Sequence, residues 1–369
     1  MNNVSLTKKI LKLDWVLIIL LMLLITIGCF ALYSAAGANW NPWAIRHFER
    51  SFIGLILALI IAFTDIKVIY KFAWVPFFAS VLLLFILFFT SEGNVNRWLD
   101  LGALKIQPSE IAKISMILAL ARFFHDVQIR DYGKIIYSIL ATIISLPIII
   151  LTLIQPDLGT AIMQILLVGA IIYLAGLRIW FLVLSIVIFI ATLPLVWLNL
   201  HDYQKQRILT HLDPSLDSLG AGYHISQSKI ALGSGGIFGK GFLKGSQSHL
   251  DFLPEKQTDF IFTMIGEEFG LAGSLFVLMI FVLLMLYSYV IAFLQSSQFG
   301  RIVCSGIVFM LFSYVFVNVG MVSGLLPVVG APLPLISYGG SSMLTIFISF
   351  GIILSASIHR HNSLEVKMS

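Results

Sequence analysis

Charge is what this sequence has least of. Only 11% of its 369 residues are Asp, Glu, Lys or Arg, against roughly 25% in a soluble globular chain. Hydrophobic residues make up 59%, and mean hydropathy is +0.99. So few charges cannot cover a water-facing surface. A soluble domain is excluded and a polytopic membrane protein is expected. Cysteine is nearly missing. Cys29 and Cys304 lie in separate apolar runs, which argues against a disulfide framework or a cysteine metal cluster. The eight His residues are scattered, with no HExxH or similar spacing. There is no nucleotide loop, because GSGGIFGKG at 233–241 lacks the GxxxxGK[ST] spacing. The net charge of +5 is too small and too dispersed to argue for nucleic acid. It suits loops facing anionic lipid.

Apolar runs are what the chain has in abundance. About ten are near the ~20 residues a bilayer requires. Their expected cores are Trp15–Tyr33, Ser51–Phe63, Phe72–Phe89, Pro108–Phe124, Lys134–Ile154, Leu158–Ala175, Ile179–Leu198, Leu271–Leu294, Ile302–Gly324 and Leu335–Ser357. The second begins nearer Arg46. The last two are separated by Leu326-Pro327 and Pro332-Leu333-Pro334, a natural break. Lys8, Lys9 and Lys12 precede the first run, which is long enough to be an uncleaved anchor.

Lys and Arg divide unevenly between the two sides. Lys8, Lys9, Lys12, Lys67, Lys71, Arg122, Arg130, Lys134, Arg178, Arg301, Arg360 and Lys367 share one side; the opposite short loops hold Arg46, Arg50, Arg97 and Lys105. Lys/Arg excess marks the cytoplasm. The expectation is therefore a single all-α unit over 1–369, with both termini cytoplasmic. A large extracytoplasmic loop, about 201–258, joins the seventh and eighth spans.

Four clusters of polar residues fall on the outer side. The first is Asn96-Arg97-Trp98-Leu99-Asp100, followed by Gln107-Pro108-Ser109-Glu110 and Lys113. Pro108 suits a first helical turn, and Glu110 and Lys113 then share a face. Unpaired charge in a span is expensive, so these two pair with each other or with a substrate. The second is Gln155-Pro156-Asp157-Leu158-Gly159-Thr160, where Asp157 is equally suited to cap a helix. The third is the long loop. Its Gly-rich, Lys-bearing stretch is either a flexible surface loop or a cradle whose backbone donors, Lys229, Lys240 and Lys244 meet a phosphate. The fourth runs from Pro332 through Ser337 to Ser342, where small residues allow close helix packing or line a polar cavity.

Asp259 stands apart. It follows Thr258 and opens the apolar Phe260-Ile261-Phe262. It either caps a helix or is a partly desolvated, basic carboxylate. One helix from Thr258 to Leu294 would exceed roughly 50 Å at ~1.5 Å per residue, against a hydrocarbon core of ~30 Å. Thr258–Gly266 is therefore expected at the outer interface, with the span starting near Phe269.

The chain resembles the SEDS family of bacterial cell-wall proteins, and its elongation branch most. The resemblance rests on NRWLDLGALKIQPSEIAK (96–113), QPDLGT (155–160), ISQSKIALGSGGIFGKG (225–241), SHLDFLPEKQTDFIF (248–262) with GEEFG after it, and LPLISYGGSS (333–342). It covers essentially the whole chain. His224 departs from the pattern, which places Gln after Gly-Tyr.

The resemblance implies a ten-span fold and an inverting glycosyltransferase that polymerises lipid II into peptidoglycan, releasing undecaprenyl diphosphate. It implies a class B penicillin-binding protein as the transpeptidase partner within the elongation machinery. The site would lie in the cytoplasmic (inner) membrane and face outward, with no nucleotide. Asp259 corresponds to the family's essential Asp and is the candidate base. Glu110, Lys113, Arg97, Trp98, Asp157, Gln155, Lys229, Lys240 and Ser337 are the candidate substrate-binding residues. Asp259 and Asp157 are candidate ligands for a divalent cation, Mg²⁺ or Mn²⁺. Three other readings are open: a flippase for the same lipid, which needs polar groups on both leaflets; the division branch of the family; and a scaffold without chemistry.

Overall fold

A computed structural model of the chain describes residues 6–90, 97–100, 105–127, 134–176, 187, 191, 197–198, 202–213, 217, 220–246 and 255–360. Most of the expected seventh span, Ile179–Leu198, lies outside these residues. So do parts of the outer loops, including 91–96 and 247–254.

The described elements are nearly all helical. In order they are α1 (Leu6–Leu11), α2 (Trp15–Ala35), α3 (Trp43–Phe63), α4 (Ile66–Lys71), α5 (Trp74–Thr90), β1 (Leu99–Asp100), β2 (Lys105–Ile106), α6 (Pro108–Asp126), α7 (Ile135–Ile154), α8 (Leu158–Leu174), α9 (Asp202–Leu212), α10 (Ala221–Ser234), α11 (Ile261–Phe293), α12 (Gln298–Val322) and α13 (Ser341–Ile358). Five of them, α2, α7, α11, α12 and α13, are long and apolar enough to cross a membrane. Their outward faces carry large apolar side chains such as Ile19, Ile143, Leu275 and Phe316. A surface of that kind fits a lipid solvent.

Lipid tails are as apolar as the helices, so association rests on close packing. The tightest pairing joins α3 to α13. A methyl group on Gly54 would overlap the Phe347 ring, and one on Gly351 would come 2.8 Å from the Ala58 carbonyl oxygen. The missing side chains set that approach. α12 packs between α6, α8 and α11, and α2 packs on α11. Tyr314 and Asn318 of α12 are therefore buried at the centre.

Two expectations shift. The last helix starts at Ser341, six residues after Leu335. Pro332 and Pro334 disfavour an earlier start, and 331–340 instead forms a turn tied to other segments. The long helix α11 breaks at Gly270 (φ 67°, ψ −161°), one residue beyond the expected Phe269. From Leu271 to Phe293 it is a span of ~35 Å at ~1.5 Å per residue. The piece before the break does not lie open at the surface. Ile261–Glu268 are all buried in protein.

A break in a helix strands backbone donors and acceptors, and burial makes that costly. Residues 236–241 supply the partners. Lys240 N and Gly241 N donate to the carbonyls of Glu267 (3.0 Å) and Glu268 (2.9 Å). Leu271 N and Ala272 N donate to the carbonyls of Gly236 (2.9 Å) and Ile237 (3.0 Å). The Gly-rich stretch is thus a backbone clamp on the break. The backbone donors of Lys240 and Gly241 are engaged by protein, so of the two readings of this stretch, surface loop or phosphate cradle, the second loses these two amides.

Candidate active site

Asp259 lies in the turn just ahead of α11 and is partly exposed. Three neighbours fix its backbone. Asn318 Nδ2 donates to the Asp259 carbonyl (2.9 Å) and to the Ala331 carbonyl (2.7 Å). Ser337 Oγ donates to the Thr258 carbonyl (2.5 Å) and accepts from Leu333 N (2.7 Å). Tyr338 N donates to the Gln257 carbonyl (2.8 Å). The carboxylate lies against Gly330, where a methyl group would stand 3.4 Å from Oδ2. Residues 257–259 are thus laced to 330–338. Ser337 serves here through the backbone that carries Asp259.

One turn back along α12 lies a second, fully buried cluster. Lys113 Nζ is 2.8 Å from Glu110 Oε1 and 2.5 Å from the Tyr314 hydroxyl. That hydroxyl donates to Glu110 Oε2. Lys113 also sits 4.3 Å from the Tyr314 ring centre. The Glu110–Lys113 pair expected from i,i+3 spacing is therefore a triad. Tyr314 was missed because nothing in the apolar context of α12 links it to residues about 200 positions away. Tyr314 and Asn318 are four apart, so they share a face about 6 Å apart along the axis. α12 thereby ties the triad to the Asp259 backbone.

The QPDLGT turn is engaged within the protein. Asp157 caps α8 by accepting from Thr160 N (3.4 Å). It also accepts from Gln107 Nε2 (3.0 Å) and lies 3.8 Å from Arg97 Nη1. Arg97 Nη2 donates to the Pro156 carbonyl at 2.5 Å. Gln155 Nε2 donates to the Leu84 carbonyl (3.0 Å). Trp98, beside Arg97, is exposed.

In the outer loop, Lys240 Nζ lies 2.7 Å from both Glu267 Oε1 and Ser246 Oγ. Lys229 is exposed, and its stem lies over Gly324 at the end of α12. Among the described residues no three His, Cys, Asp or Glu side chains gather as a metal-ligand group. Asp157 Oδ1 and Oδ2 accept from Thr160 N and Gln107 Nε2, so a cation bound at Asp157 would join a carboxylate already hydrogen-bonded within the protein.

Comparisons with known proteins agree with this architecture. The chain is 41% identical over 358 residues to the peptidoglycan glycosyltransferase MrdB of Escherichia coli strain K12, covering 94% of each. Its fold is similar to a chain solved in a study of structural coordination of polymerization and crosslinking by a peptidoglycan synthase complex. There the TM-score is 0.82 at 30% identity, covering 95% of this chain and 99% of that one. It is also similar to the rod shape determining protein RodA of Thermus thermophilus, with TM-score 0.71 at 26% identity, covering 95% and 98%. Residues 14–362 match the family model FTSW_RODA_SPOVE, cell cycle protein. The chain is a multi-pass membrane protein and belongs to the FtsW/RodA/SpoVE family.

Proposed function

We propose that the protein is a peptidoglycan glycosyltransferase that polymerises lipid II during elongation, at the outer face of the bacterial cytoplasmic membrane. One observation carries the reading. Asp259, the carboxylate of TDFIF, stays partly open while Asn318, Ser337 and Tyr338 fix the backbone around it. A positioned carboxylate of this kind is what a weak sugar nucleophile requires.

The 4-hydroxyl of an acceptor sugar attacks the anomeric carbon of the donor. Asp259 takes the proton, and undecaprenyl diphosphate leaves. One displacement turns an α-linked donor into a β-linked product, so one base suffices. The Glu110–Lys113–Tyr314 triad fixes an ammonium one helical turn along α12 from Asn318, which holds the Asp259 backbone. A divalent cation, Mg²⁺ or Mn²⁺, would be held by Asp259 and substrate oxygens, where it would polarise phosphate. The partner is a class B penicillin-binding protein.

The test is polymerisation of labelled lipid II by the purified chain, with and without that transpeptidase and with and without EDTA. Glycan strands that vanish in Asp259→Asn support the reading. Transbilayer movement of lipid II without any polymer replaces it with the flippase. Loss of polymer in EDTA, restored by Mg²⁺ or Mn²⁺, supports the cation.

A further inference from the structure

A departing diphosphate needs cationic donors, and the sequence nominates several. The structure has already engaged most of them. Lys113 is held by Glu110 and Tyr314, Arg97 by Pro156 and Asp157, and Lys240 by Glu267 and Ser246. Arg50 is different. It projects from α3, is half-buried, and makes no hydrogen bond or ion pair among the described residues. Its contact is a stack, with the guanidinium carbon 4.8 Å from the Tyr338 ring centre. Stacking fixes the plane of a guanidinium while leaving its N–H donors available.

Its place matters as much as its availability. Tyr338 is the residue whose N–H holds the Gln257 carbonyl, two positions before Asp259. The guanidinium also faces the turn into α13: a methyl group on Gly340 would stand 3.9 Å from Arg50 Nη1 and from the Lys105 carbonyl oxygen. Arg50 is therefore held by the segment that positions Asp259, with its fork uncommitted. Leaving a guanidinium without an anion is unfavourable in a partly desolvated place. A planar fork matches phosphate oxygens two at a time.

We infer that Arg50 is a substrate-binding residue whose guanidinium, oriented by Tyr338, takes the diphosphate of the polyprenyl-linked sugar. This rests on the glycosyltransferase reading and supplies the anion contact that the engaged cations do not.

The experiment measures binding of a short-chain polyprenyl diphosphate to the full-length protein in nanodiscs. The matching polyprenol, inorganic diphosphate and phosphatidylglycerol serve as comparison ligands. Arg50→Gln is expected to weaken the polyprenyl diphosphate roughly ten- to a hundredfold, as for a lost charge-assisted contact, and to leave the polyprenol unchanged. Arg50→Lys keeps charge but not the fork and should recover only part. Tyr338→Leu keeps Arg50 but removes its support and should weaken binding less than Arg50→Gln. An equal loss for the polyprenol would mark general damage and overturn the inference. So would unchanged affinity in a folded Arg50→Gln protein, or stronger Arg50-dependent binding of phosphatidylglycerol or inorganic diphosphate. If Arg50→Gln loses the diphosphate while the wild type makes no glycan, Arg50 keeps its ligand class and the polymerase reading fails. If affinity is unchanged while the wild type polymerises, the converse holds.

Discussion

A carboxylate that accepts a proton from a sugar hydroxyl must be accessible, and its backbone must not wander. Asp259 meets both needs through contacts made by other segments. Asp259→Asn keeps the shape and removes the proposed base. The expected loss of polymerisation is ~10²–10⁴-fold, read from labelled lipid II, with insertion into the membrane unchanged. The triad makes a different demand, because it is buried and cannot tolerate a lone charge. Either Glu110→Gln or Lys113→Met alone should destabilise the protein by roughly 3–5 kcal/mol, with the double change milder than either single one. Thermal unfolding in detergent checks the order, and two fully stable single variants would overturn it. His224 adds a pH dependence outside the spans. Burial holds its pKa below 6.5, and its ring meets Phe260 edge-on at 6.4 Å. The folded state prefers it neutral, so its contribution is intact above 6.5 and is lost as pH falls through the lower folded pKa. His224→Gln should flatten the acid limb of a stability–pH profile.

At the scale of the element, the glycine of GEEFG decides where α11 ends and begins again. A methyl group on Gly270 would come 2.4 Å from Gly239 N and 2.6 Å from the Ile237 carbonyl, at a φ of +67° that side chains rarely adopt. Gly270→Ala should cost ~2 kcal/mol or more from backbone strain and crowding, measured as lower thermal stability. The need for a break was legible in advance, because a continuous helix would overrun the bilayer. The partner of the break was not. Nothing in residues 233–241 says that their amides meet the carbonyls of Glu267 and Glu268; as a sequence the stretch suits a phosphate cradle equally well. The start of α13 was misplaced for a similar reason. Leu335-Ile336 continues an apolar run, yet Ser337 and Tyr338 are held by Thr258 and Gln257, and a hydropathy pattern does not register such long-range bonds.

For the whole molecule, the scarcity of charge revealed the class, and motif order revealed the family. The sequence could nominate Glu110, Lys113 and Asp259 because charged residues at the edges of apolar runs stand out. It could not nominate Tyr314 or Asn318, whose types are ordinary within a span and whose roles exist only after α12 packs against α6 and α11. Orientation rests on Lys/Arg asymmetry and is open to direct measurement. Cys29 and Cys304 are buried, so single cysteines can be added over a quiet background. An impermeant thiol reagent outside intact spheroplasts should label Lys244→Cys and not Lys67→Cys. Both positions are exposed on the protein. The reverse pattern would turn the site toward the cytoplasm, where no polymer could be laid down.

The clamp on Gly270 also orders the birth of the protein. Residues 236–241 leave the ribosome before the helix they hold. When α11 emerges, the four backbone partners of its break are already waiting. A chain permuted so that α11 is made first would insert it with those groups bare in a poorly hydrated setting. Cotranslational protease protection should then find α11 late and poorly protected in the permuted chain. Equal timing in both chains would show that the break can wait for its loop.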